Sequence, residues 1–150
     1  MKNPDKVIRA KYISLFASVT TPNGSGVQSV PVYDKLVPKS VIPIPATRIV
    51  ITTQTKNQAN TTKCGHDWAT VITLDIINEQ PQGYANTSIL DDIEEQINNL
   101  IDLPNGDVDF TPFTCYNTQV HTPTDLSYGT PTLSIGRKVL RFEHQLSGVV

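Results

Sequence analysis

Several features that mark other protein classes are scarce or missing in this chain of 150 residues. No apolar run approaches the roughly 18 residues of a transmembrane helix, so the sequence predicts no membrane span. The only cysteines, Cys64 and Cys115, lie far apart and give no disulfide framework spacing, so we expect free thiols in a reducing compartment. The motif G-x-x-x-x-G-K-[ST] is missing too, and no phosphate-binding loop is predicted.

Basic residues are missing from the middle of the chain. No Lys or Arg lies between Cys64 and Gly136, whereas this segment contains eleven acids and carries a charge of -11. The two flanks contain all twelve bases and three acids, which gives them +9. Charges separated in this way either pair within one subunit or give the molecule two unlike faces that attract between neighbours. The second alternative favours head-to-tail rings or stacks, and the sequence leaves both open.

The length and composition indicate one folded domain over residues 1–150. A chain of this size buries a core without help from disulfides or metals. The frequency of Thr, Asn and Gln, together with eleven prolines, favours strands and loops over helices.

Two neighbouring segments predict a strand of a sheet and a helix that packs on it. Residues 66–78 alternate as a strand, and residues 88–102 place apolar side chains at helical spacing. The strand's more apolar face comprises Trp68, Thr70, Ile72, Leu74 and Ile76, and the helix stripe comprises Leu90, Ile93, Ile97, Leu100 and Ile101. We expect the two to pack together in an α+β fold.

The remaining elements follow from local patterns. A helix is expected to begin at Pro4, capped by Asn3, and to end at the turn-rich residues 21–26. Strands are predicted at 33–37, after Pro31, at 47–55, at 113–121 and at 133–146. Residues 56–65 are interpreted as a long hairpin loop that reaches an adjacent subunit, and 122–131 as a turn-rich loop. The expected architecture is a mostly antiparallel sheet of about four to five strands packed against two helices.

Candidate catalytic and metal-binding residues give weak signals. Cys64, His66, Cys115 and His121 lack the paired spacing of structural zinc sites. Asp75, His66 and the Asp91–Asp92 pair suggest a small metal-dependent hydrolase, but the two aspartates fall on the predicted solvent side of their helix. We therefore expect no enzyme activity, cofactor or metal.

A basic and aromatic set near the carboxyl end weakly suggests contact with nucleic acid. It comprises Arg137, Lys138, Arg141, Tyr128 and Phe142. The sequence pI of about 5.8 argues against dedicated binding, although nonspecific contact with DNA remains compatible with a few of these bases.

The order of the elements resembles the tail-terminator, or tail-completion, proteins of tailed bacteriophages. The likeness is carried by KVIRAKYISLFASV, VPKSVIPIPATRIVITTQT, DWATVITLDII, SILDDIEEQINNLI and RKVLRFEHQL. Members of this family are virion structural proteins that form rings, usually hexamers, at the head-tail junction. The resemblance implies assembly in the bacterial host cytoplasm, with copies of the chain and with other neck and tail proteins as partners, possible nonspecific contact with DNA in the lumen and no membrane.

We expect subunit contacts at Lys56, Lys63, Asp91, Asp92, Glu95, Arg137 and Arg141. Acidic helix faces would meet basic termini there, which sets orientation and association rate more than affinity. Another neck-ring or tail-tube protein is the closest alternative. A host-takeover binding module and the hydrolase are the other two.

Overall fold

The computed structural model describes residues 3–23, 26–35, 37–41, 43, 45–61, 65–81, 87–104 and 106–149. Its helices are α1 (Pro4–Phe16) and α2 (Thr87–Ile101). Its strands are β1 (Thr20–Asn23), β2 (Gly26–Ser29), β3 (Val32–Asp34), β4 (Thr47–Thr61), β5 (Gly65–Pro81), β6 (Thr114–Val120), β7 (Thr124–Asp125), β8 (Tyr128–Gly129) and β9 (Leu133–Val149). No helix in these ranges is long and apolar enough to cross a membrane.

The main sheet has seven strands rather than the four to five predicted. Its central order is β3-β4-β5-β9-β6, and β7 and β8 add to β9 beyond the end of β6. All pairings are antiparallel except β3 with β4, which is parallel. β1 and β2 form a separate hairpin. The predicted α+β class with two helices is confirmed.

The prediction of a long loop over residues 56–65 is wrong. β4 and β5 stay paired as far as Thr61 and His66, so residues 56–61 belong to a strand. Polar side chains occupy this part because it lies at the sheet edge, where a strand needs no apolar cover on both faces. Residues 62–64, which join the strands, lie outside the described part.

One face of the sheet carries the core. The buried side chains on this face are Ile49, Ile51, Trp68, Ile72, Leu74, Ile76, Leu140, Phe142, His144 and Leu146. Both helices cover it, through Ile8, Tyr12 and Phe16 of α1 and Leu90, Ile93, Ile97 and Ile101 of α2. The predicted apolar faces of β5 and α2 therefore meet. The opposite face of the sheet has no helix on it in the described part of the chain.

The start of α1 follows the predicted local chemistry, whereas its predicted end at residues 21–26 is wrong. The helix ends at Phe16, and Thr20–Asn23 form β1. Asn3 accepts a hydrogen bond from the backbone N–H of Asp5, which satisfies one free donor at the start of α1. β3 begins after Pro31, whose carbonyl accepts from the backbone of Ile49, and it ends where Lys35 adopts a left-handed φ of 67°. The paired part is therefore shorter than the predicted residues 33–37.

An irregularity in β6 changes the predicted orientation of its side chains. The register against β9 shifts between Cys115 and Asn117, which leaves Tyr116 as the extra residue. Cys115 and Thr118 consequently lie on the same face, with 3.6 Å between sulfur and hydroxyl oxygen, whereas strict alternation would put residues three apart on opposite faces.

Candidate subunit-contact surfaces

The outer side of α2 is acidic and only partly neutralised. The helix sequence contains four acids and no base. Lys138 of β9 forms ion pairs with Asp91, at 2.7 Å, and with Glu94. Asp92 and Glu95 are exposed and form no ion pair with the described residues. The free acidic surface of α2 is therefore Asp92 and Glu95, two of the three predicted contact residues on this helix.

The ion pairs of Lys138 join β9 to α2. Its side chain is only 16% exposed, and burial alone would lower its pKa, but hydrogen bonds to Asp91 and Glu94 outweigh burial and raise the pKa. The charged ammonium is thus the stable form in this position. Asp91, whose side chain is 66% exposed, serves an internal contact while it remains accessible to a partner.

Arg137 points to the opposite face, where it is paired within the subunit. Its guanidinium donates to Asp75 at 2.7 Å, and the Asp75 side chain is 7% exposed. A second pair, between Arg48 and Glu79 at 2.8 Å, lies nearby. These side chains line a shallow cleft of about 320 Å³ on the face that carries no helix, together with Lys35, Val50, Ile77, Tyr128 and Ile135.

The other predicted basic contacts have different surroundings. Arg141 is exposed and makes no ion pair with any described residue. Lys56 contacts Asp5 at 3.0 Å and Asn3 at 2.7 Å, and its ammonium lies 5.7 Å from the Trp68 ring centre. Lys63 lies outside the described residues. Arg141 is thus the predicted basic contact with the most freedom to meet a partner.

Ion pairs within one subunit neutralise part of the charge that is segregated along the sequence. Three bases from the flanks, Arg48, Arg137 and Lys138, pair with acids of the middle segment. Two further pairs, Arg9 with Asp34 and Lys56 with Asp5, form within the amino-terminal flank. Acids that form no ion pair with any described residue nevertheless remain around α2 and the segment after it, at Asp92, Glu95, Asp102, Asp107 and Asp109. Pairing within one subunit, the first alternative left open by the sequence, therefore accounts for part of the charge.

The residues suggested for a hydrolase are not brought together. Asp75 and His66 fall on opposite faces of β5, nine residues or about 30 Å apart along the strand. Asp91 and Asp92 lie on α2, across the sheet from Asp75. No group of three or more His, Cys, Asp and Glu side chains in the described ranges has the arrangement of a metal site. Cys64 of the weak zinc set is not among those residues.

The basic and aromatic set does not form one surface. Arg137 and Arg141 lie on the face without helices, whereas Lys138 and Phe142 lie under the helices. Phe142 is fully buried, and Lys138 is held by two carboxylates. Only Arg141 and the half-exposed Tyr128 remain available to a ligand such as DNA.

A buried polar cluster under α1 was not predicted from the sequence. His144 has no exposed surface; its Nε2 contacts the hydroxyl of Tyr12, and its Nδ1 lies 3.0 Å from the hydroxyl of Thr118. Burial lowers the pKa of His144 to about 4 and raises the pKa of Tyr12 well above its ordinary value. Strand alternation puts His144 on the same face as Leu140 and Phe142. The side chains that contact His144 depend on how α1 packs against that face, which alternation does not give. The cluster joins α1 to β9 and β6.

The two outer edges of the sheet are unpaired over long stretches. β3 covers β4 only at residues 49–51, and no other described strand pairs with the outer side of residues 53–61. At the opposite edge, β6 pairs with β9 on one side and with no described strand on the other. Free strand edges carry unpaired backbone donors and acceptors that can add another strand.

Comparison with solved structures identifies the fold. The chain superimposes on a chain of the structure described as "Virion of native gene transfer agent (GTA) particle", with a TM-score of 0.59 and 12% sequence identity. It shares the fold of a virion component. No known family profile matches the sequence, and no curated protein matches it.

The match extends over almost the whole length of both chains. It covers 97% of this chain and 92% of the virion chain, so the helices, the long strands and the sheet edges all fall within the shared fold. At 12% identity the two sequences have few side chains in common, so the likeness concerns the fold of the backbone.

Proposed function

We propose that this protein is a structural component of a phage-like particle and forms an oligomeric ring at the head-tail junction, as a tail-terminator or tail-completion protein does. The observation that carries the proposal is the fold match to a virion chain across 97% of this sequence. The element order that resembles tail terminators supports the same assignment.

The charges on the surface support association with other copies and with neighbouring neck and tail proteins. Asp92 and Glu95 form an exposed acidic surface on α2, and Arg141 is an exposed base on the opposite face of the sheet. Such groups steer association and set its orientation, and salt weakens the attraction between them. Arg141 and Tyr128 also suit nonspecific contact with DNA if the face without helices lines the lumen.

The role proposed here is mechanical rather than catalytic. Asp75, the most buried of the hydrolase candidates, is engaged by Arg137, and the other candidates lie elsewhere. The exposed acids of α2 and the exposed Arg141 on the opposite sheet face suit contacts between the ring and the neck and tail proteins that flank it.

A test of this function begins with purified particles from the source of the chain. Mass spectrometry should detect the protein in them, and light scattering should show the purified protein assembling, alone or with isolated tails. The double substitution D92N/E95Q should slow assembly and reduce its dependence on salt. D102N serves as a control, because it removes one charge, against two in the double variant, from an exposed acid beyond the end of the same helix. A protein that is absent from particles and binds neither itself nor tails would contradict the proposal.

A further inference from the structure

We propose that the sheet continues from one copy of this chain to the next, with β6 of one subunit adding to the free edge of β4 in its neighbour. The inference rests on the proposed function, because it names the contact that would build the ring. The observation behind it is that β4 and β6 lie at opposite edges of one sheet and that the outer edge of each is unpaired among the described residues.

The directions and lengths of the two edges match. β4, β5, β9 and β6 alternate in direction, so β6 runs antiparallel to β4. A second copy added side by side therefore presents its β4 antiparallel to β6 of the first copy, which continues the alternation. The free part of β4 spans nine residues and β6 spans seven, or about 30 and 23 Å. The contact joins two unlike edges, and such head-to-tail contacts generate rings when the rotation between copies closes.

The chemistry of the edges also suits this pairing. Residues 53–61 include one charged side chain, Lys56, which is held by Asp5 on the helix-covered side. β6 contains no charged residue and no proline. Soluble proteins commonly protect long edges with charges or prolines, and neither edge has such protection beyond its bulges. Strand addition at both edges is therefore unopposed by charge.

The surroundings of the two edges differ in charge. Thr118 of β6 lies 3.4 Å from Asp107, and Asp109 follows in the same exposed segment. On the β4 side, Arg9 of α1 contacts Gln54 of β4 at 3.0 Å, and the charges of Arg9 and Lys56 are balanced by Asp34 and Asp5. The acids beside β6 thus meet a β4 side whose charges are balanced within the subunit, so charge does not oppose the contact. Tyr116 and Val120, at 51% and 40% exposure, add apolar surface on β6.

The direction of one backbone amide allows a specific test. The N–H of His121 donates to the carbonyl of Arg141 in β9, at 3.0 Å. Because successive residues of a strand turn their backbone groups to opposite sides, the N–H of Val120 points away from β9, toward the free edge. Proline at position 120 removes this donor and places its ring in the path of an added strand, while the ladder to β9 keeps its donors.

The experiment compares Val120→Pro with Val120→Thr, which keeps the N–H and suits a strand. Sedimentation velocity over a concentration series, with isolated tails added where wild type needs them, measures self-association. We expect Val120→Pro to weaken association by about tenfold or more, and Val120→Thr to leave it within about twofold. Thermal unfolding of both monomers checks that the fold is kept.

Hydrogen exchange provides a readout that does not depend on a substitution. In assembled wild type, the amide of Val120 should become protected relative to the monomer, whereas the amide of His121 should be protected in both. Rings that form with Val120 still exchanging freely, or equally well from Val120→Pro, would overturn the inference and leave the proposed ring function standing. A wild-type chain that assembles under no condition and binds no tail would overturn both.

Discussion

Protonation of His144 should make the stability of this protein strongly dependent on pH. The side chain has no exposed surface and bonds to Tyr12 and Thr118, and burial lowers its pKa from 6.5 to about 4. An unfolded chain therefore binds a proton at this residue between pH 6.5 and 4, while the folded chain does not. Stability contributed by neutral His144 is fully present above pH 6.5 and is lost as the pH falls toward 4.

The size of this effect follows from the two pKa values. Linkage between them gives a loss of about 2 kcal/mol from pH 7 to pH 4.5, and about 3 kcal/mol once the pH is well below 4. The carboxylates of Asp and Glu also titrate in this pH range, so the comparison needs a variant that lacks the His144 imidazole alone. His144→Phe fills a similar volume and leaves the hydroxyl of Tyr12 without its partner.

Urea unfolding of both proteins at a series of pH values measures the difference. His144→Phe should be less stable than wild type at pH 7 by about 2 kcal/mol, because a buried hydroxyl loses its hydrogen bond. The gap should close or reverse by pH 4.5, since only wild type takes up the additional proton on unfolding. A gap that stays constant across this range would refute the reasoning, because it would mean that His144 is protonated equally in both states.

Two further substitutions test the packing and the ion pairs. Gly148→Ala should destabilise the fold by about 2 kcal/mol, because the new Cβ would lie 2.7 Å from the ring of the buried Phe113, whereas Gly136→Ala should cost under about 1 kcal/mol, because it meets a terminal methyl group of Leu90. Equal melting temperatures for the two would contradict this difference. Arg137→Met should cost about 3 kcal/mol by leaving the buried Asp75 unpaired. Arg141→Met, at an exposed base without an ion pair, should stay within about 0.5 kcal/mol in chemical denaturation, and similar losses in both would argue against the Asp75 contact.

The long elements could be predicted because their pattern repeats. Five alternating residues of β5 and five residues of α2 at helical spacing indicated which side chains are covered, and the buried set agrees apart from Leu100, which is only partly buried. The start of α1 was equally clear from Asn3 and Pro4, whose chemistry acts within one turn. Local rules succeed where one face of an element meets the core.

The short elements were harder to predict because tertiary pairing decides them. The β1–β2 hairpin occupies Thr20–Asn23 and Gly26–Ser29, where the prolines and glycines of the sequence indicated only a turn. Its position is fixed from outside the segment, by Gln96 of α2, whose side chain both donates to and accepts from the backbone of Thr20. The bulge at Tyr116 leaves no pattern in the sequence either.

The candidate contact surfaces show the same difference between what local patterns predict and what the tertiary fold decides. The acidic character of α2 was visible in its composition, but the pairing of Lys138 with Asp91 and Glu94 depends on the register of β9. Arg137 and Arg141 looked equivalent in the sequence, and only the fold shows that Arg137 is engaged by Asp75. The free edges of β4 and β6 require knowledge of the whole strand order.

Electron microscopy of the intact particle, resolved well enough to trace strands, tests the central claim most directly. We predict a closed ring of this chain between head and tail, with β6 of each copy paired to β4 of the next. A particle in which this chain is absent, or lies outside the head-tail junction, would contradict it.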